Sequence, residues 1–292
     1  MFAGTHTAIV TPFRNGQIDE ESLKRLVDFQ FDNGVTGVVP CGTTGESPTL
    51  DYEEHDRVVR LTVEYARGRG IVMAGTGANS TREAVALTQA AEAAGATASL
   101  QVAPYYNKPT PEGLFQHFKA VAESTSLPIM LYSIPGRCGI EIGLDVLERL
   151  VAACPNIRAI KEAGGNPERV SQMRQLLPSS FEILSGDDGL TLPFMSVGGV
   201  GIVSVASNVI PRQISDMVKL ALQGDYTGAR VLHEQYYPLF AAFLKLATNP
   251  IPVKTAMALA GHCTDELRLP LVPMEPAKVA ELKAVLTKLG LI

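Results

Sequence analysis

The residue best suited to covalent chemistry is Lys161, in the stretch Ile157-Arg158-Ala159-Ile160-Lys161-Glu162-Ala163-Gly164. The stretch reads as a short apolar strand that ends on the lysine and runs into a glycine turn. An ammonium group is rarely withdrawn from water unless it is paired or used. Burial lowers the pKa of an amine, and a neutral amine attacks carbonyl carbon. Lys161 is therefore a candidate Schiff-base lysine. Taken alone, the same residues also fit a strand-end lysine that snorkels to solvent.

Other apolar runs end in polar residues that suit one chemistry. The second leads into Cys41-Gly42-Thr43-Thr44-Gly45-Glu46-Ser47, and the third into Gly75-Thr76-Gly77-Ala78-Asn79. The fourth leads into Pro104-Tyr105-Tyr106-Asn107, the fifth into Tyr132-Ser133-Ile134-Pro135-Gly136-Arg137, and the seventh into Ser185-Gly186-Asp187-Asp188. Thr7 and Thr11 accompany the first. The segment from Gly42 to Gly45 lacks the Gly-Lys-Ser/Thr ending of a P-loop. Its two hydroxyls and free backbone N–H groups suit a small carboxylate, although a plain turn has the same composition. Tyr132 reads either as a proton shuttle or as a core tyrosine. Arg137 reads as a fork for a carboxylate or as a solvated charge. Gly75-Thr76-Gly77 lacks the third glycine of a dinucleotide fingerprint, and the five histidines have no metal spacing. Six such loops converging on one lysine point to carbon–carbon bond formation on a 2-oxo acid. Lys161 would form an iminium that serves as electron sink for an enamine, with no metal or organic cofactor required.

The elements that must position these groups alternate. Apolar runs at 7–11, 37–40, 71–75, 98–102, 129–132, 157–161, 181–184 and 201–205 read as strands, mostly unbroken as expected when both faces are buried. Helices lie between them. Asp19 and Asp51 are the caps of the first two, Glu54 giving the second a capping box. Ser80-Thr81-Arg82-Glu83 reads as a full capping box, Thr110-Pro111 as a cap and first-turn proline, and Asn166-Pro167 and Pro211 as further helix starts. Eight such units predict a (β/α)₈ barrel over residues 1–224, with a doubly wound sheet as the alternative and chemistry at the carboxyl ends of the strands. Residues 225–292 show helical periodicity alone and read as a C-terminal helical region packed on the barrel.

Composition narrows the setting. Hydrophobic residues form 46% and charged residues 19% of the 292, so the chain is globular. A net charge of −5 gives no basic excess for nucleic acid. No run reaches the length of a membrane span, and the first residues lack the pattern of a signal peptide. Cys41, Cys138, Cys154 and Cys263 are scattered, which fits reduced thiols and a cytoplasmic location.

Four segments, Gly42-Thr43-Thr44-Gly45-Glu46, Tyr132-x-x-Pro135-x-Arg137, Ile160-Lys161-Glu162 and Ser185-Gly186-Asp187-Asp188, resemble those of the dihydrodipicolinate synthase/N-acetylneuraminate lyase family. They fall in the family's order and spacing, and the similarity runs nearly the whole chain. The resemblance implies pyruvate held as a Schiff base on Lys161 and Tyr132 as proton donor and acceptor, with Thr43 and Tyr106 completing a hydroxyl relay. It implies Thr44 on the pyruvate carboxylate, Val203 contacting pyruvate through its backbone, Gly186 at the substrate site and Arg137 on the carboxylate of the second substrate. Arg137 and the Gly-Thr-Thr-Gly-Glu form favour condensation with L-aspartate 4-semialdehyde, on the diaminopimelate route to lysine. The alternatives are a pyruvate aldolase or lyase of the same family acting on a sugar-type aldehyde, and a catalytically silent 2-oxo-acid-binding protein.

In the family the residue matching Tyr106 enters the neighbouring subunit's site, which implies a homodimer at least and commonly a homotetramer. Ser133 stands where asparagine is usual. Ser47, His55, Asn79, Glu83 and Tyr105 match the family's lysine-feedback site, whereas Pro48 and Tyr52 replace alanine and histidine, leaving inhibition by lysine open.

Overall fold

The computed structural model describes all 292 residues. Eight parallel strands close into a barrel: β1 Gly4–Ala8, β2 Gly37–Val39, β3 Ile71–Gly75, β4 Ala98–Val102, β5 Ile129–Ser133, β6 Ile157–Glu162, β7 Glu182–Ser185 and β8 Gly201–Ser204. Each pairs with its neighbours in sequence, and β1 closes the ring by pairing with both β2 and β8. The wall is formed by α1 Glu20–Asp32, α2 Tyr52–Ala66, α3 Thr81–Ala93, α4 Pro111–Glu123, α5 Leu144–Ala153, α6 Glu168–Leu176, α7 Thr191–Ser196 and α8 Pro211–Leu222. Beyond them lie α9 Tyr226–Lys245, α10 Ile251–Leu259 and α11 Pro276–Lys288. No helix is long and apolar enough to cross a membrane.

The barrel interior is a compact apolar cluster that includes Met73, Leu100, Met130, Ala159, Leu184 and Val203. A second layer lies between strands and helices, and there Leu239, Phe240, Phe243, Val253 and Met257 of α9 and α10 share one cluster with Ile9, Leu26 and Ile214. The capping expectations hold for three helices. Asp19 accepts from Ser22 N, the Asp51–Glu54 box is complete, and Thr110 accepts from Gly113 N.

Two expectations need correction. The first strand is Gly4–Ala8 and not 7–11. Ile9 and Val10 follow the strand and pack in the outer core, where Ile9 N still donates to the Val39 carbonyl and Val10 N donates to Asn208 Oδ1. Thr7 consequently faces α1, its hydroxyl donating to Gln30 Oε1 at 2.6 Å, and so lies behind the barrel wall. Thr11 lies in the loop beyond and braces Gly45 by donating to its carbonyl at 2.7 Å. Ser80 precedes α3 without capping it through its side chain. The carboxylate that would complete that box, on Glu83, instead accepts from Tyr52 Oη at 3.1 Å.

Candidate active site

Lys161 reaches the barrel interior through an irregularity in the ladder. Between β5 and β6 the register runs Ile129 to Ile157 and then Met130 to Ala159, so Arg158 is the extra residue. The shift lets Ile157 pack on the outer layer while Ala159 turns inward. Because strand side chains alternate, Lys161 follows Ala159 inside and Glu162 faces out. Glu162 is held there by Arg169 Nε at 2.8 Å and Gly164 N at 2.7 Å. Tyr132 and Leu184 are the register partners of Lys161 on either side.

The lysine is 5% exposed, and its Nζ lies 4.2 Å from the centroid of the Tyr132 ring. Burial lowers its pKa from 10.5 to about 8, against the pull of the Asp188 carboxylate and with help from the Arg137 guanidinium. Near neutrality an appreciable fraction of the amine is thus unprotonated and nucleophilic. Asp188 is itself buried, accepting from Ser204 Oγ, Val205 N and Ala206 N, and burial raises it to about 6. Burial lifts Tyr132 to about 12, while Arg137 and a hydrogen bond with Thr43 draw it down. Its hydroxyl stays protonated at neutral pH and can lend and recover a proton. Gly186 is needed for space: a Cβ there would lie 3.0 Å from Lys161 Cε and 2.6 Å from Ala163 Cβ.

Thr43, Tyr132 and Arg137 line one cavity of about 620 Å³. Ser47, His55, Glu83 and Tyr105 line the same cavity, together with Pro48 and Tyr52. Asn79 adjoins it by donating to the Tyr105 carbonyl at 3.2 Å. His55 is fixed by a 2.9 Å hydrogen bond between Nε2 and the Gly75 carbonyl. Thr44 is buried beside Thr43, and Val203 lies in the barrel interior. Tyr106 does not join them within one chain. It is 90% exposed on a backbone with φ of 72°.

The model of the Dihydrodipicolinate synthetase family matches residues 1–289. The chain belongs to that family. A 4-hydroxy-tetrahydrodipicolinate synthase from Persephonella marina is 52% identical, the match covering 100% of each chain. The solved structure of the 4-hydroxy-tetrahydrodipicolinate synthase of Methylacidiphilum fumariolicum SolV is 55% identical, with a TM-score of 0.98 over 99% of this chain and 96% of that one. The dihydrodipicolinate synthase structure from Aquifex aeolicus is 47% identical, with a TM-score of 0.98 over 99% of each. These likenesses span barrel and C-terminal helices together.

That C-terminal part holds site residues to which the sequence reading assigned nothing. Asn249 Nδ2 donates to Thr44 Oγ1 at 3.0 Å, and the Asn249 carbonyl accepts from Arg137 Nη2 at 3.1 Å. Lys254, wholly buried, meets Glu46 Oε1 at 2.5 Å. The sequence held a signal for the second pair. Lys254 is the one charge in Ile251-Pro252-Val253-Lys254-Thr255-Ala256-Met257-Ala258-Leu259, and a lone lysine in an apolar helix needs a buried partner. Asn249 had no comparable signal.

Proposed function

We infer that the chain condenses pyruvate with L-aspartate 4-semialdehyde to give 4-hydroxy-tetrahydrodipicolinate, as a Schiff-base lyase of lysine and diaminopimelate biosynthesis. The observation that carries this is Lys161, buried inside the barrel against Tyr132, in a chain about half identical to synthases of that name along its whole length. The unprotonated Lys161 amine adds to the keto carbon, and loss of water leaves an iminium. Loss of a methyl proton gives the enamine, whose carbon attacks the semialdehyde carbonyl. The substrate's own amino group then displaces Lys161 from the former keto carbon and closes the ring.

In this reading Tyr132, which shares the cavity with Thr43, carries protons, with Thr43 and Tyr106 completing the relay. Thr44 and the Val203 backbone hold pyruvate beside Gly186, and Arg137 takes the semialdehyde's carboxylate. The exposure of Tyr106 supports its insertion into a second subunit, hence a homodimer at least and a homotetramer as the full assembly. Ser47, His55, Asn79, Glu83 and Tyr105 form the proposed lysine-feedback site. We assign residues 1–224 to the catalytic barrel and 225–292 to a helical extension, and place the protein in the cytoplasm.

Pyruvate consumption with the semialdehyde, N-acetylmannosamine or glyceraldehyde as partner tests the reading. Turnover with the semialdehyde alone is expected, and turnover only with a sugar aldehyde would overturn the substrate assignment. Borohydride with pyruvate should add one pyruvate-derived unit to the intact mass, and an adduct that survives Lys161→Ala would refute the Schiff base.

A further inference from the structure

Asn249 stands in the turn between α9 and α10, outside all eight strand-to-helix loops, yet it touches two groups of the proposed substrate site. Its amide Nδ2 donates to Thr44 Oγ1 at 3.0 Å. A hydroxyl carries one proton and accepts through its lone pairs. With an acceptor position of Thr44 taken by the amide, the Thr44 O–H is directed elsewhere, free for a carboxylate. The Asn249 backbone carbonyl at the same time accepts from Arg137 Nη2 at 3.1 Å. One residue thus bears on the threonine that would grip the keto acid and on the arginine that would grip its partner.

The segment carrying Asn249 is itself pinned to the Thr44 loop. Lys254 Nζ donates to Glu46 Oε1 at 2.5 Å and to the Glu266 carbonyl at 2.7 Å. Arg268 N donates to the other Glu46 oxygen at 3.1 Å, and Glu46 sits in the left-handed region with φ of 55°. Two struts from the C-terminal part, at Thr44 and at Glu46, therefore fix a loop that belongs to β2.

We propose that Asn249 is a positioning residue for the condensation, orienting the Thr44 hydroxyl toward the keto acid's carboxylate and seating Arg137 for the second substrate. The proposal rests on the Schiff-base reading above. Asn249→Ala removes the amide donor and leaves the carbonyl that holds Arg137. Losing one such hydrogen bond should raise KM for pyruvate about five- to tenfold, with kcat within about twofold. Asn249→Leu, similar in size, uncharged and without a donor, should behave alike.

A merely structural residue would lower the melting temperature and add its effect to that of Thr44→Val. A positioning residue acting through Thr44 should do nothing further once Thr44 is valine, so a double-mutant cycle on KM for pyruvate separates the two. Wild-type KM in both Asn249 variants, additivity with Thr44→Val, or collapse of both variants in thermal melts would each overturn the proposal. Absence of a borohydride-trapped adduct in the wild type would instead sink the Schiff-base reading beneath it, and the proposal with that reading.

Discussion

The charges bearing on Lys161 have opposite signs, so two substitutions should move its titration in opposite directions. Burial sets the amine at about 8, the Asp188 carboxylate pulling it up and the Arg137 guanidinium pushing it down. At pH 7 a lysine titrating at 10.5 is neutral in roughly 0.03% of molecules and one titrating near 8 in roughly 9%, a gain of about 300-fold in nucleophile. The ammonium form cannot attack, so adduct formation should rise with pH and level off above about 8. Asp188→Asn should lower that midpoint and Arg137→Ala should raise it. Each half pH unit of movement changes the neutral fraction at pH 7 by about threefold.

The assay is the rate of borohydride-trapped adduct at saturating pyruvate, read by intact mass from pH 5.5 to 9.5, with thermal melts to confirm folding. Asp188→Asn should exceed the wild type between about 6 and 8, and the two should converge at higher pH. Below about 6 the wild-type Asp188 is itself protonated, so the difference should fade there. Two midpoints that move together, or neither moving, would refute the electrostatic account of the lysine.

Three further outcomes follow from the geometry. The ammonium form of Lys161 is disfavoured in the fold, a penalty present in full below about 8 and relieved as pH rises toward 10.5. Lys161→Met should therefore stabilise the protein at pH 7 by up to about 3 kcal/mol in urea unfolding, with the gain shrinking at alkaline pH. Gly186→Ala would place a Cβ 3.0 Å from Lys161 Cε. It should cut the trapping rate at least about tenfold while the chain remains folded by circular dichroism. Lys254→Met strands the Glu46 carboxylate in the core and should cost about 3–5 kcal/mol in chemical denaturation, and adding Glu46→Gln should recover much of that loss.

The barrel was legible because its strands bury both faces, leaving unbroken apolar runs that punctuation by Asp19, Asp51 and Thr110 separates from the helices. Where local signals competed with packing they misled. Ile9 and Val10 look like strand residues but serve the outer core, and Glu83 matches a capping box but bonds Tyr52. Lys161, Tyr132 and Arg137 were readable as loop-end residues in a barrel. Which way Lys161 faces depends on the irregularity at Arg158, which no periodicity reveals. Asn249 was silent because its role arises from contacts 205 and 112 residues away in sequence, made through an amide and a main-chain carbonyl.

The brace on Glu46 also has a temporal side. Its acceptors emerge from the ribosome early, but the Arg268 amide that one of them accepts from lies 222 residues later. At about 5–20 residues per second, translation leaves that carboxylate without its partner for roughly 10–45 s. Over that interval the nascent chain can assemble barrel strands while the loop from Thr43 to Glu46 is still unset. Competence to engage pyruvate should therefore arrive late, once the bracing residues from Asn249 to Arg268 have emerged.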